Sequence, residues 1–228
     1  MGCCLERFRF EEAPPALRHV VMFTFKEHAL AADEIAVLKA MNSLPMLVPQ
    51  ILRSTVGSDL RLSRGQKHPA GKNRSMVWLV DFRSTSDFEA FQKHPAHAEL
   101  LAKFASAIEP ESYAAIQYAN PATLQPGVHH VVMFTLKEGA TSEQFDTFSA
   151  ATVALREKIK EIRNFAVVPD LRLEAGVGKN RSLAVLGEYA SIEDYQVYET
   201  HPEHLAVIEQ YIKPLSQPGS RAAIQYVL

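Results

Sequence analysis

The chain repeats itself, and this duplication restricts its fold more than any other feature of the sequence. The segment HVVMFTFKE at 19–27 returns almost unchanged at 130–138, an offset of 111 residues. DLRL recurs at the same offset, at Asp59 and Asp170. GKNRS and the motif His-Pro-x-His recur at an offset of 107, and AAIQY recurs at 108. Five related segments in one order indicate two copies of one domain, here called repeat 1 and repeat 2.

The duplication divides the chain into a tail, two repeats and a linker. We expect an N-terminal tail at 1–17, repeat 1 at 18–119, a linker at 120–127 and repeat 2 at 128–228. The linker sequence, NPATLQPG, contains Pro, Gly and Asn, which are typical of connecting segments.

Each repeat predicts the element order β-α-β-β-α-β. HVVMFTF is short and rich in β-branched and aromatic residues, as strands are. In repeat 2, Thr141 and Gln144 form a capping-box pattern ahead of apolar residues at helical spacing. A second helix is predicted to begin at Ser86 or Ser191, and His-Pro interrupts it. This order predicts two ferredoxin-like repeats of the α+β class, each an antiparallel sheet with helices on one face.

Both faces of the predicted sheet are apolar. By the two-residue alternation of a strand, one face carries a histidine with two apolar side chains in each repeat. These groups are His19, Val21 and Phe23 in repeat 1, and His130, Val132 and Phe134 in repeat 2. Val20 and Met22 lie on the opposite face. We interpret the histidine face as the one that the helices leave bare, and we predict that the two sheets pack together within one chain as one pseudo-symmetric α/β barrel.

Composition excludes several classes of function. The 228 residues are 47% hydrophobic and carry a formal net charge of −2, so no basic surface for nucleic acid is expected. No apolar run approaches the roughly 20 residues that a membrane helix needs. Cys3 and Cys4 are the only cysteines, so we expect a fold without disulfide bonds in a reducing, cytoplasmic environment.

The N-terminal sequence MGCC contains candidate acylation sites. Gly2 is the position at which myristate is attached, and Cys3 or Cys4 can carry palmitate. Two acyl groups provide stable membrane anchoring, so peripheral association with a membrane through the N-terminus is one expectation. Residue 6 is Glu where the myristoylation motif has Ser or Thr, and the alternative is a cytosolic tail without lipid.

Each His-Pro-x-His motif places a histidine near the start of a helix. Proline is favoured at the first helical position, so Pro95 and Pro202 put His97 and His204 in the first turn. The positive end of the helix dipole disfavours a charged imidazole there, and a neutral histidine can accept a proton. The alternative is a packed or capping histidine. A metal site is disfavoured, because neither cysteine nor a suitably spaced carboxylate completes a ligand set.

The two repeats differ at positions close to this motif. Tyr198 precedes His204 by six residues, whereas repeat 1 has Phe91 at the corresponding position. Only the tyrosine has a hydroxyl that can bond to the histidine or stabilise an oxyanion. Trp78, the only tryptophan, corresponds to Val185, so it is either core packing or a cavity wall in one repeat.

The segment HVVMFTF, the pattern F-x-S-x-x-D/E-Y-x-x-Y-x-x-H-P-x-H and the closing AAIQY strand together resemble the stress-responsive dimeric α/β-barrel (Dabb) domain family. The resemblance covers about 18–119 and 128–228. It implies the β-α-β-β-α-β fold and an eight-stranded barrel formed by two domains. Members of the family are usually single domains that dimerise, so this chain resembles two fused copies.

The resemblance also implies a pocket and a candidate reaction. One plant member of the family cyclises a linear polyketide by an aldol reaction. In that enzyme the second histidine of His-Pro-x-His acts with a tyrosine six residues earlier, and these residues match His204 and Tyr198 here. Repeat 1 matches only the histidine, as His97. The family's pocket histidine on the first strand matches His19 and His130.

Three functions follow from these observations. The first is a stress-response protein that binds a small apolar molecule in the barrel. The second is a cyclase or lyase with His204 as general base and Tyr198 as its partner, although Met76 and Leu183 replace a further histidine of the plant cyclase. The third is a structural protein that forms oligomers. No cofactor or metal is expected. The predicted pocket residues are His19, Val21, Phe23, Trp78, His130, Val132 and Phe134.

Overall fold

The computed structural model describes residues 15–173 and 180–228, and its two repeats share one architecture. The strands of repeat 1 are β1 (Leu17–Phe23), β2 (Ile51–Ser58), β3 (Met76–Phe82) and β4 (Ala114–Ala119). Those of repeat 2 are β5 (Val128–Phe134), β6 (Ile162–Pro169), β7 (Leu183–Tyr189) and β8 (Ala222–Val227). The strand orders, β2-β3-β1-β4 and β6-β7-β5-β8, are antiparallel throughout and confirm two ferredoxin-like α+β repeats.

Helices cover one face of each sheet. In repeat 1 these are α1 (Ala31–Ser43), α3 (Thr85–Gln92) and α4 (Pro95–Phe104), while the short α2 (Ser63–Gln66) lies beside repeat 2. Those of repeat 2 are α5 (Ser142–Val153), α6 (Leu155–Lys158), α7 (Ile192–Thr200), α8 (Pro202–Val207) and α9 (Lys213–Leu215). A π-helical turn at Ile208–Ile212 joins α8 to α9. None of the helices within the described ranges is both long and apolar enough to cross a membrane.

Helix starts coincide with capping residues. The Thr141 hydroxyl accepts a hydrogen bond from the Gln144 amide at 3.2 Å, and the Gln144 side chain accepts one from the Thr141 amide at 3.0 Å. This confirms the predicted capping box at α5. Ser191 caps α7 as predicted. The prediction that α3 begins at Ser86 was wrong. The N-cap is Ser84, because its hydroxyl accepts a hydrogen bond from the backbone amide of Asp87.

The two sheets pack against each other through the face that carries Val20 and Met22. Side chains from both repeats form one apolar layer there. Its larger members are Val20, Met22, Val77, Leu79, Ile116, Tyr118, Val131, Met133, Ile224 and Tyr226. The sheets therefore bury one face against each other within a single chain, as predicted.

The face predicted for this interface, which carries the strand histidines, was wrong. Phe23 and Phe134, which share a face with the strand histidines, belong to the cores between each sheet and its helices. Alternation along a strand groups the residues of one face. Because both faces are apolar here, hydropathy does not indicate which of them the helices cover.

The sheets remain separate ladders and do not merge into one closed barrel within the described residues. Backbone hydrogen bonds of 2.7–2.8 Å join their edges instead. The donor and acceptor pairs are Leu60–Gln225, Arg74–Ala223, Leu171–Gln117 and Arg181–Ala115. In each repeat, the segment after the second strand and the segment before the third strand therefore form hydrogen bonds with the outer strand of the other sheet. The predicted single barrel is corrected to two stacked sheets with bonded edges.

Candidate functional site

A cavity of about 870 Å³ lies in repeat 2 between the sheet and its helices. Its wall is mostly apolar, with a limited number of polar groups. The apolar members include Val132, Phe134, Leu155, Val185, Val207, Ile208 and Ile212. The polar members include His68, His130, Thr152, Tyr195, Tyr198, Glu199, His204 and Arg221. This size and this lining are typical of sites for small molecules.

The cavity exists because repeat 2 has smaller side chains than repeat 1 at corresponding positions. Val185 corresponds to Trp78 and Thr152 corresponds to Met41, and both residues of repeat 2 line the cavity. In repeat 1 the Trp78 indole is 2% exposed, and its Nε1 donates to the Ser54 hydroxyl at 2.9 Å. The same strand position is therefore filled by an aromatic side chain in repeat 1 and forms a cavity wall in repeat 2.

One additional residue alters the last helix of repeat 2. The offset between the repeats rises from 107 at His-Pro-x-His to 108 at AAIQY, so repeat 2 is one residue longer between these motifs. The π-helical turn falls in this interval, and a π turn accommodates more residues than an α turn. Ile208 and Ile212 of the turn line the cavity. The change in offset between the repeats is the sequence signal for this feature, which was not predicted.

Repeat 1 contributes part of the cavity wall of repeat 2. Residues Ser63, Arg64, Lys67, His68, Pro69 and Ala70 line it. They lie in the stretch where repeat 1 is four residues longer than repeat 2, and we call 63–70 the lid segment. Arg64 Nε lies 3.6 Å from a carboxylate oxygen of Glu199, which ties the lid segment to α7. The complete cavity therefore requires both repeats.

His-Pro-x-His begins a helix in both repeats. His94 and His201 are the N-caps, and each Nδ1 accepts a hydrogen bond at 3.2 Å from the amide two residues later. Pro95 and Pro202 occupy the first helical position, which confirms the predicted start. The motif is thus a capping device in both copies, and any functional difference depends on the surroundings of its second histidine.

His204 lies on the cavity wall and stacks on Tyr198. Their ring centroids are 4.1 Å apart, with the planes inclined at 30°. His204 Nδ1 lies 3.3 Å from the Glu199 carbonyl oxygen, so Nδ1 carries the proton and Nε2 carries the lone pair. Burial lowers the pKa of His204 to about 4, despite the backbone hydrogen bonds that raise it. Near pH 7 the ring is therefore neutral and presents an acceptor nitrogen.

Tyr198 contacts His204 through its ring face. The predicted hydrogen bond between the two side chains is therefore replaced by stacking. Burial raises the pKa of Tyr198, so its hydroxyl remains protonated. The Tyr189 hydroxyl is close enough to influence this ionisation but makes no hydrogen bond of normal geometry. Tyr198 thus supports the His204 ring from one side.

Three tyrosines of repeat 2 replace three phenylalanines of repeat 1. The pairs are Phe82 and Tyr189, Phe88 and Tyr195, and Phe91 and Tyr198. The Tyr195 hydroxyl donates to the Glu199 carboxylate at 3.2 Å. The Tyr189 hydroxyl lies over Gly187, where an added Cβ would approach it to 2.7 Å. All three pairs share the offset of 107, and only the third was among the predicted site differences.

A polar chain that crosses between the repeats orients His130. The Asn73 side chain of repeat 1 donates to Asp59 at 3.0 Å and to the Gln225 side-chain oxygen at 2.6 Å. The Gln225 NH₂ group then faces His130 Nδ1 at 2.9 Å. A donor at Nδ1 places the ring proton on Nε2. His130 therefore offers a donor nitrogen, whereas His204 offers an acceptor.

The Ile224 carbonyl oxygen also approaches His130 Nδ1, at 3.2 Å. It cannot accept a proton from Nδ1 while Nδ1 itself accepts from Gln225. The Gln225 contact is shorter and its orientation is fixed by Asn73, so we assign the proton to Nε2. Burial, with the nearby Arg221 charge, lowers the pKa of His130 to about 3. The ring is accordingly neutral near pH 7.

The corresponding histidines of repeat 1 pack in its core. The centroid of the His97 ring lies 4.3 Å from that of Phe91 and 6.4 Å from that of Trp78. His19 Nδ1 lies 2.7 Å from the Gln117 side-chain nitrogen, in a polar chain that mirrors that of His130. Of the predicted pocket residues, the cavity wall includes His130, Val132 and Phe134 but not His19, Val21, Phe23 or Trp78.

Two further predictions concern acylation and metal binding. The candidate acylation sites Gly2, Cys3 and Cys4 lie outside the described residues. Within residues 15–173 and 180–228, no group of three or more His, Cys, Asp or Glu side chains is arranged to hold a metal ion.

Comparison with protein families gives a match to each repeat. The model of the family described as "Stress responsive A/B Barrel Domain" matches residues 17–118 and again residues 128–228. The two matches cover almost all of both repeats. The curated proteins compared with the chain gave no match.

Two solved structures show the same fold at low sequence identity. An anthrone oxidase-like protein has a TM-score of 0.69 at 13% identity, over 93% of this chain and 91% of its own. A putative monooxygenase from Fusobacterium nucleatum has a TM-score of 0.56 at 11% identity, over 95% and 93%. A dimeric ferredoxin-like protein of unknown function from Bacteroides fragilis is 28% identical, with a TM-score of 0.38, over 46% of this chain and 100% of its own. The first two likenesses concern the fold alone.

Proposed function

This chain belongs to the stress responsive A/B barrel domain family, with two copies of the domain in tandem, and we propose that repeat 2 binds a small, mostly apolar molecule in its cavity. The observation that carries the proposal is the contrast at one strand position. Trp78 fills the core of repeat 1, whereas Val185 borders an open cavity in repeat 2. Protein cores are normally close-packed, so an open, largely apolar space of this size is typical of a ligand site.

Polar groups on the wall favour a ligand that carries oxygen. His130 offers an N–H donor at Nε2, and His204 offers a lone pair at Nε2. The Thr152 side chain also lines the cavity. We therefore expect an apolar body with at least one carbonyl or hydroxyl group.

Calorimetric titration with 2-undecanone tests this proposal, because the ketone combines an apolar chain with one carbonyl. The native protein is expected to bind one molecule per chain. Val185→Trp is expected to weaken binding at least about tenfold, because an indole at this position occupies the space as Trp78 does in repeat 1. Val185→Ile adds a single methylene and serves as the matched control. Circular dichroism verifies that each variant is folded.

Two results would contradict the binding function. One is a native protein that binds no apolar ketone. The other is a folded Val185→Trp variant that binds 2-undecanone as tightly as the native chain.

A second candidate function is proton-transfer catalysis, as in a cyclase or lyase. His204 supports it, because a neutral imidazole with Nδ1 held by the Glu199 carbonyl can accept a proton at Nε2. Removal of a proton beside a ligand carbonyl would produce an enolate and an imidazolium. The N–H of His130 could then stabilise the enolate oxygen. Since the pKa of His204 is about 4, it is a weak base, and slow turnover is expected.

A purely structural role is the third function that the sequence left open. It explains the apolar layer between the sheets. It does not explain the open, largely apolar cavity in repeat 2. We therefore place this role behind ligand binding.

A further inference from the structure

Arg221 brings a positive charge to the cavity wall. It lies immediately before β8, and its guanidinium donates to the Gly71 carbonyl oxygen at 2.9 Å and to the Asn73 side-chain oxygen at 3.2 Å. Both acceptors are neutral. Among the residues that the structure describes, no carboxylate oxygen lies within 4.0 Å of this guanidinium. The charge of Arg221 therefore has no close counter-ion in the described part of the chain.

The nearby carboxylates are engaged elsewhere. Glu199 contacts Arg64 and accepts from Tyr195, and Asp59 accepts from Asn73. Burial lowers the pKa of Arg221 to about 10, so the side chain remains charged near pH 7. Placing a charge away from water is costly unless an opposite charge compensates it. An anionic ligand would supply that compensation.

The lid segment adds positive charge to the same cavity. Arg64 is paired with Glu199, and Lys213 is paired with Glu209. Lys67 of the lid segment also lines the cavity. The charged side chains of the wall therefore include more cations than carboxylates, although the wall as a whole is mostly apolar.

Repeat 1 has no arginine at the corresponding position. The closing strands are related by an offset of 108, so Tyr113 corresponds to Arg221. The Tyr113 ring packs near Phe23, with centroids 5.8 Å apart. The cation on the wall thus occurs in the repeat that has the cavity, while the repeat with a filled core has an aromatic side chain instead.

We propose that the ligand of repeat 2 is an amphipathic carboxylate, whose anionic group binds Arg221 and whose apolar body lies beside Val185. This inference rests on the proposed binding function. The planar guanidinium provides donors in the geometry that a carboxylate accepts, and such charge-assisted bonds are stronger than those between neutral groups. Gly71 and Asn73 hold the guanidinium in place, so little side-chain freedom is lost when the ligand binds.

Calorimetric titrations with decanoate and methyl decanoate at pH 7.5 test the inference, because the two probes differ mainly in charge. Decanoate is expected to bind the native protein at least about tenfold more tightly. Arg221→Gln should reduce this preference to below about threefold, because decanoate loses its charged partner and the ester does not. The glutamine retains an amide that can donate to Asn73. Arg156→Gln removes an exposed positive charge that does not line the cavity, and it should retain the preference.

The outcomes separate this inference from the binding function. Equal affinity of the native protein for the two probes overturns the carboxylate assignment and leaves ligand binding intact. Failure of both probes to bind contradicts the binding function itself. A preference that survives in Arg221→Gln overturns the role of Arg221. If this variant does not fold, the inference is tested on the native protein by adding salt. Salt is expected to weaken the binding of decanoate more than that of the ester, and an equal effect of salt on both probes overturns the inference.

Discussion

The folded protein is expected to lose at least about 4 kcal/mol of stability between pH 7 and pH 5, since two buried histidines alone contribute this much by remaining neutral in the fold. Burial lowers the pKa of both His19 and His130 to about 3. In the unfolded chain a histidine titrates near pH 6.5. Below that pH the unfolded state binds more protons than the folded state. The stability that the two neutral histidines contribute is therefore fully present above about pH 7 and is lost progressively as the pH falls toward 3.

Urea unfolding followed by circular dichroism at pH 7, 6 and 5 measures this loss. The range ends at pH 5 because burial raises the pKa values of Asp59 and Glu199, and these carboxyls contribute with the opposite sign at lower pH. A His19→Gln, His130→Gln double variant cannot titrate at these positions, so its loss of stability between pH 7 and pH 5 should be about 4 kcal/mol smaller. The remaining loss comes from other histidines of lowered pKa, such as His204 and His68. A native protein that is equally stable at pH 7 and pH 5 would show that the buried histidines are not neutral in the fold.

Replacing His204 by alanine is expected to slow proton exchange of a bound ketone at least about a hundredfold, if repeat 2 catalyses proton transfer. Deuterium incorporation beside the carbonyl of 2-undecanone, measured by NMR in D₂O, gives the rate directly. The matched control is His97→Ala, because His97 has the same place in its motif but packs against Phe91 and Trp78. This variant should retain the native rate.

A pH profile distinguishes a base from a structural residue. With a pKa of about 4, His204 is deprotonated above roughly pH 5, so the native rate should rise through pH 4 and then level off. Loss of binding together with exchange in His204→Ala would indicate a structural role, since His204 also stacks on Tyr198. Equal losses in the two alanine variants would indicate two working sites. An unchanged exchange rate in both alanine variants would show that His-Pro-x-His serves only to begin a helix.

Most of the fold could be predicted because the signals are local and occur twice. The repeated segments give the two domains and the order of their elements. Proline at the first helical position and the Thr141 capping box depend on chemistry within a few residues, and the structure confirms both. The face of each sheet that the helices cover depends on long-range packing. Since both faces are apolar, alternation alone could not decide it, and that prediction was wrong.

The candidate site could be predicted only in part. His204 and Tyr198 stand out because repeat 1 has phenylalanine opposite the tyrosine. The cavity depends on differences in side-chain size between the repeats, such as Trp78 against Val185, whose effect requires knowledge of what lies opposite. The lid segment was visible as extra sequence in repeat 1. Its position over the cavity of repeat 2 is a consequence of the way the two repeats pack.

Whether the two repeats differ in function is tested most directly by NMR of the histidine imidazoles while the native chain is titrated with 2-undecanone. The ketone is expected to shift the ring nitrogen resonances of His130 and His204, with saturation at one molecule per chain. The resonances of His19 and His97 should remain unchanged, because their rings are packed in the core of repeat 1. Shifts of similar size in both pairs, or saturation at two molecules per chain, would contradict a single ligand site in repeat 2.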